Sequence, residues 1–218
     1  MPPESSTSRG LFITFEGIDC CGKSTQLKLV KKYLESKGYS VVTLREPGST
    51  TLSEKVRSLL LNKKMKIDPY PELLLYLTAR GQLVSEKIIP ALKKNRIILC
   101  DRFHDSTVAY QGYGRRMDFD LIEKIRKRIA GKIKPNLTFV YDISPKTSLS
   151  RRKRSADRLE SEKEEFFRRV RSGFRRIAAN EPRRVKLING EQTPAKVFAQ
   201  SGKELDKALD KFSKSNDS

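Results

Sequence analysis

The stretch Gly17-Ile18-Asp19-Cys20-Cys21-Gly22-Lys23-Ser24, with Thr25 behind it, constrains this chain more than any other. It fits the glycine-rich pattern G-x-x-x-x-G-K-[ST], the P-loop. Chance glycines in a strand-turn-helix could give the same letters, so the flanks decide. Leu11-Phe12-Ile13-Thr14-Phe15 is a short apolar, β-rich run that reads as a buried strand. Leu27, Val30 and Leu34 then recur at helical spacing as far as Gly38, a helix stop. Strand, glycine loop and helix in that order make an anion site, because backbone N–H groups freed by the turn meet a helix N-terminus. Lys23 is expected to reach the β- and γ-phosphates of a nucleoside triphosphate, and the Ser24 hydroxyl to sit on Mg2+.

Further strand and helix signals follow. Ser40-Val41-Val42-Thr43-Leu44 reads as a second strand, ended by Arg45-Glu46-Pro47-Gly48. Polar groups at the carboxyl end of a parallel strand face the ligand crevice of an open α/β sheet. Leu52 to Leu61 reads as helix, and Pro71 opens a second helical segment that reaches about Pro90. Arg96 to Cys100 is a third strand running straight into Asp101-Arg102, and Asp118 starts a basic amphipathic helix. Leu137 to Tyr141 and Val185 to Ile188 complete five strands. Thr193 then caps a closing helix with Pro194 in its first position. Alternating strands and helices imply βαβ units. The expected fold is α/β, a P-loop three-layer sandwich with a five-stranded parallel sheet and helices on both faces.

A chain of 218 residues without an internal linker, repeat or low-complexity block is expected to form one domain, here residues 10–212. The polar ends, 1–9 and 213–218, lack apolar periodicity and are expected to be disordered tails. No apolar run approaches membrane-spanning length and the N-terminus lacks a signal-like segment, so a soluble cytoplasmic protein is expected. Cys20, Cys21 and Cys100 form neither a disulfide framework nor a zinc set, and free thiols suit a reducing compartment. The net charge of +20, from 46 Lys and Arg against 26 Asp and Glu, raises nucleic-acid binding. No zinc-finger spacing, RNP signature or basic heptad accompanies it, and basic surfaces also attract polyphosphates. Specific nucleic-acid binding is therefore not expected.

In order and spacing, these pieces make the chain resemble the thymidylate kinase family, in its bacterial form, over about residues 11–212. The carriers are the P-loop, Arg45-Glu46-Pro47-Gly48, Ala79-Arg80, Asp101-Arg102 with Ala109-Tyr110-Gln111-Gly112, and Asp157-Arg158-Leu159-Glu160 followed by Phe166-Phe167. The resemblance implies transfer of the ATP γ-phosphate to dTMP, a homodimer, and an arginine-bearing lid at about 150–163. It places ATP on Gly17, Ile18, Asp19, Cys20, Cys21, Gly22, Lys23, Ser24, Thr25, Asn189 and Gly190. Mg2+ falls to Ser24 and Asp101. It places dTMP on Asp19, Arg45, Glu46, Pro47, Tyr76, Arg80, Arg102, Ser106, Thr107, Tyr110 and Gln111. Within that set Tyr76 stacks on thymine, Arg80 donates to its O4, Tyr110 packs under the deoxyribose and Arg102 clamps the acceptor phosphate.

The chain departs from the family pattern in several places. Tyr76 stands where Phe is usual, and Phe103-His104 follows Asp101-Arg102 where tyrosine is typical. His104, the only histidine, is expected to be structural. Some members carry an arginine where this chain has Cys20, which cannot supply a cation. The catalytic cations are then expected from Lys23, Arg102 and the lid arginines Arg151, Arg154 and Arg158, with Arg154 foremost. From the residues alone, Tyr76 also reads as helix packing, Arg80 as a solvated helix charge and Arg102 as a member of a structural ion pair. Two other functions stay in view: a kinase for another nucleoside monophosphate or a nucleoside, and a basic nucleic-acid-binding ATPase.

Overall fold

The first strand, β1 (Leu11–Glu16), is buried along its whole length and forms the middle of a five-stranded sheet. The computed structural model describes residues 10–216; the tail expected at 1–9 lies outside the described residues. The other strands are β2 (Val41–Arg45), β3 (Ile97–Asp101), β4 (Leu137–Asp142) and β5 (Val185–Asn189). All pairs are parallel, in the order β2-β3-β1-β4-β5.

The two-residue period of a strand sends alternate side chains of β1 to opposite faces. Leu11, Ile13 and Phe15 join a core with Val30 and Leu34 of α1 (Lys23–Ser36), Phe174 of α8 (Glu164–Asn180) and Leu205 of α9 (Pro194–Asn216). Phe12 joins the opposite core with Leu83 of α3 (Pro69–Leu83), Leu92 of α4 (Ile89–Lys93) and Ala130 of α6 (Phe119–Ala130). Each fully buried side chain of this size is worth about 1.5–3 kcal/mol. Burial on both faces fixes the register, so the strand ends are held in one plane.

Every strand runs one residue past its expected end, to Glu16, Arg45, Asp101, Asp142 and Asn189. An apolar run stops at its last apolar side chain, but backbone pairing continues into the polar residue behind it. Arg45 pairs with Asp101 and Asp142 with Asn189 in the ladders. The expected helix stop at Pro90 also moves. A π turn (Val84–Ile88) joins α3 to α4, and the helix runs on to Lys93. Pro90 sits in the first turn after that wider coil, where its missing N–H matters least.

The closing helix is longer than expected. α9 reaches Asn216, so the tail expected from residue 213 is helical as far as 216, and 217–218 lie outside the described residues. Phe212 anchors this end by packing on Tyr39, ring centroids 6.5 Å apart. The remaining helices among the described residues are α2 (Thr51–Leu61), α5 (His104–Thr107), which continues as a π segment (Val108–Gly114), α7 (Pro145–Arg151) and a 3-10 turn (Leu159–Ser161).

Candidate functional site

The loop after β1 and the residues that follow the carboxyl ends of β2 and β3 come together at one crevice. Gly17 there has φ 132°, and a Cβ on it would lie 2.6 Å from the Tyr141 carbonyl oxygen and 2.8 Å from Cys21 Sγ. Only glycine fits, in conformation and in space. Cys20 takes φ 59°, and Gly22 with φ 99° turns the chain into α1. Lys23, buried, donates through Nζ to the carbonyls of Gly17 at 3.3 Å and Ile18 at 3.2 Å. The Ser24 hydroxyl donates to Asp101 Oδ2 at 3.3 Å.

Arg102 follows directly, with φ 70° and its N–H bonded to the Phe15 carbonyl at 3.0 Å. That turn aims the guanidinium back over the loop. Nη1 donates to the Gly17 carbonyl at 2.9 Å and to Ser106 Oγ at 3.1 Å. Nη2 donates to Asp19 Oδ1 at 2.6 Å and to the Tyr110 hydroxyl at 3.2 Å. Burial alone would raise the Asp19 carboxyl, but Arg102 and Lys23 bring it down to about 2.

Beneath this pair lies Glu16, fully buried, which sequence reasoning missed. Its Oε1 accepts the Phe103 N–H at 2.7 Å and its Oε2 the Ser106 hydroxyl at 2.5 Å. Burial and the neighbouring Asp105 push its carboxyl up to about 8. The available signal was a charged residue closing a wholly buried strand. Glu16 holds the segment that carries Arg102 and Ser106.

Beside the loop, α2, α3 and residues 102–111 wall a cleft of about 620 Å³, part of it open to solvent. Its lining brings together Asp19, Glu46, Pro47, Tyr76, Arg80, Arg102, Ser106, Thr107, Tyr110, Gln111 and Arg154. Arg57, Leu61, Phe103, Asp157 and Leu159 also line it and were not foreseen. Tyr76 and Arg80 are one turn apart on α3, so both reach the same wall.

Arg80 is 2% exposed. Its Nε donates to Glu46 Oε2 at 2.8 Å, and its Nη2 to the Phe103 carbonyl at 3.0 Å. Burial raises the Glu46 carboxyl, and Arg80 only partly offsets this. The third nitrogen, Arg80 Nη1, is buried without a partner among the described residues. A buried donor of this kind calls for an acceptor.

The three arginines expected in a lid go to three different places. Arg154 lines the cleft and pairs with the buried Glu160 at 2.6 and 2.9 Å. Arg151 donates to the Gly190 carbonyl at 3.0 Å. Arg158 is tied to Glu72 at 2.7 Å and to the Leu60 carbonyl at 2.8 Å. Only Arg154 joins the cleft wall. α7, which leads into the expected lid, is fastened to the loop: Ser148 Oγ donates to the Asp19 carbonyl at 2.7 Å.

Gly190 comes up against the P-loop, while Asn189 Oδ1 accepts the Glu191 N–H at 3.0 Å. A Cβ on Gly190 would lie 3.3 Å from the Cys21 carbonyl oxygen. Arg45, in contrast, turns outward to Glu54 at 2.9 Å, is half exposed, and is not part of the cleft wall. His104 is also outside it. Burial and four surrounding cationic side chains, Arg80 first, hold its imidazole well below the ordinary value.

A protein-family model described as thymidylate kinase matches residues 15–200. The thymidylate kinase of Pelotomaculum thermopropionicum is 43% identical over 212 residues, covering 95% of this chain and 98% of that protein. The thymidylate kinase of Thermoanaerobacter sp. strain X514 is 45% identical over 190 residues, covering 87% and 94%. The crystal structure of thymidylate kinase from Ehrlichia chaffeensis superposes with a TM-score of 0.76 at 36% identity, covering 90% of this chain and 98% of that one.

Proposed function

Because the chain belongs to the thymidylate kinase family, we propose that it transfers the γ-phosphoryl group of ATP to dTMP, giving dTDP and ADP. A phosphate oxygen of dTMP forms the new bond to the γ-phosphorus, and the bond to the β–γ bridging oxygen breaks. Catalysis of this kind is mostly positioning and charge stabilisation. The observation that carries the reading is the Arg80 side chain in the cleft wall, one nitrogen of which, Nη1, makes no hydrogen bond among the described residues. Thymine O4 is an acceptor of the kind it needs.

The other assignments build outward from there. Tyr76 lies against the base, Tyr110 under the deoxyribose, and Asp19 near the 3′-hydroxyl. Ser106, Thr107, Gln111, Glu46 and Pro47 complete the acceptor wall. Arg102 binds the acceptor phosphate through its planar fork. Lys23 and Arg154 supply positive charge to the phosphoryl group in flight. Arg151 serves the adenine side with Asn189 and Gly190, and Arg158 supports the lid. Arg45 has a weaker claim, since its pairing with Glu54 turns it outward.

Ser24 and Asp101 offer a hydroxyl and a carboxylate side by side, hard oxygen donors that suit Mg2+. Bound with ATP, the ion would neutralise phosphate charge. Two protein ligands suffice for Mg2+, which takes its others from phosphates and water.

Two further properties belong to this reading. Leu52, Leu59, Tyr70 and Leu74 are exposed apolar residues on α2 and α3, which pack against each other, a face suited to a homodimer. Among the described residues no helix is long and apolar enough to cross a membrane. The free thiols fit the cytoplasm as its working compartment. A coupled assay for ADP tests the function: stimulation by dTMP supports it. Stimulation by another nucleotide or a nucleoside, or by DNA or RNA, supports one of the two other readings instead.

A further inference from the structure

One buried carboxylate touches both the cleft and the lid. Glu72, in the first turn of α3, is fully buried. Its Oε1 accepts Gln111 Nε2 at 2.9 Å and Arg115 Nε at 3.2 Å. Its Oε2 accepts Arg115 Nη2 at 3.0 Å and Arg158 Nη2 at 2.7 Å. Gln111 lines the cleft, and Arg158 comes from the lid.

Resting on the reading of the cleft as the dTMP pocket, we propose that Glu72 is a positioning residue with two linked tasks: it fixes the orientation of the Gln111 amide and it docks the lid through Arg158. Neither task requires contact with substrate.

The first task follows from donor counting. An ionised carboxylate only accepts, so the Gln111 atom against it is the amide nitrogen. The Gln111 carbonyl oxygen is then left as the acceptor for the cleft. Thymine carries an N–H at N3, whereas cytosine carries a lone pair there. Glu72 therefore makes Gln111 complementary to thymine and mismatched to cytosine. Burial alone would raise the Glu72 carboxyl, but Arg115, with Gln111 and Arg158, holds it below the ordinary carboxylate value.

The second task follows from the charge count. Arg115 binds Glu72 through two nitrogens and also pairs with Glu162 at 2.6 Å. When Arg158 leaves, Glu72 keeps Arg115 and Gln111, so no orphan charge remains buried. Arg158 is thus a detachable second partner. It also donates to the Leu60 carbonyl in the last turn of α2, where helix carbonyls lack helical partners. Acceptor recognition and lid docking share one carboxylate, so the two are coupled, and the coupling is reciprocal.

Glu72→Gln tests this, because it keeps the shape, removes the charge and adds a donor. The expected result is a rise in KM for dTMP of about tenfold or more, the scale of one charge-assisted hydrogen bond. The preference for dTMP over 5-methyl-dCMP in kcat/KM should narrow, with KM for ATP almost unchanged. A purely structural Glu72 would lower the melting temperature and leave KM and the preference where they were, which would overturn the proposal. Should Glu72→Gln not fold, a double-mutant cycle of Gln111→Ala and Arg158→Ala replaces it. These two side chains share Glu72, so their effects on kcat/KM should be non-additive; additive effects would overturn the proposal. A wild-type protein inert toward dTMP would instead sink the pocket reading, and with it this proposal, before Glu72 is varied.

Discussion

Arg102 Nη2 lies 2.6 Å from Asp19 Oδ1, so an ion pair joins the end of β3 to the P-loop across the crevice. The same guanidinium stands 5.0 Å from the centre of the Tyr110 ring. One arginine thereby sets the distance between the P-loop and the Tyr110 ring.

Asp19→Asn removes the charge that orients Arg102. We expect kcat/KM for dTMP to fall by about tenfold or more, the cost of a lost charge-assisted contact. The pair also makes stability depend on acid. With the folded carboxyl at about 2 against an ordinary 3.8, its contribution is present above pH 3.8 and lost as pH falls toward 2. The side chain is 28% exposed, so solvent screening keeps this below about 2 kcal/mol. Thermal melts from pH 5 to pH 2.5 should show a shallower loss for Asp19→Asn than for wild type. Parallel curves would mean that the pair adds no acid-sensitive stability.

Arg80→Ala should weaken dTMP binding by about 1–3 kcal/mol and leave ATP binding nearly unchanged. It also strands Glu46, and an unpaired buried carboxylate can cost about 3–5 kcal/mol of stability. Arg80→Met combined with Glu46→Gln should recover most of that stability without recovering dTMP affinity. Calorimetric titration with each nucleotide separates the two effects. Equal losses for ATP and dTMP would make Arg80 a structural residue only.

The P-loop and the five parallel strands were legible because burial on both faces writes itself as apolar runs. Each strand's last residue was not, since Glu16 or Asp142 pairs by backbone while its side chain is charged. The cleft residues near Arg80 were readable by resemblance, but their partners were not. Nothing in the spacing of Glu46, Arg80 and Phe103 announces that one guanidinium joins all three. The lid shows the same gap. Sequence reasoning puts Arg154 foremost among Arg151, Arg154 and Arg158, but nothing along the chain shows their separate partners, Gly190, Glu160 and Glu72.

Tyr110 tests sugar selection. A ring under C2′ leaves an added hydroxyl buried without a partner, at a cost of roughly 1–3 kcal/mol. Tyr110→Ala should narrow the preference for dTMP over ribothymidine monophosphate in kcat/KM. Tyr110→Phe keeps the ring but loses the hydroxyl bonded to Asp19 and Arg102, so it should retain the preference at lower activity. An unchanged preference in Tyr110→Ala would remove the ring from this role.

Arg154→Ala should lower kcat with KM for dTMP little changed, because its contact forms mainly in the transition state. The loss should be at least about tenfold, short of the 10³–10⁵ of a sole arginine finger, because Lys23 and Arg102 remain. Arg154→Lys should recover only part, as a point charge lacks the fork. Steady-state kinetics with varied dTMP distinguishes this from a binding defect, which would raise KM alone.

The most direct measurement follows the phosphoryl group itself. Wild-type protein is incubated with Mg2+, γ-labelled ATP and one acceptor at a time: dTMP, dUMP, dCMP, dGMP, dAMP, thymidine or single-stranded DNA. The account predicts that label leaves ATP and appears in dTDP, most rapidly with dTMP as acceptor. Label appearing only as free phosphate, or transferred faster to another acceptor than to dTMP, would contradict it.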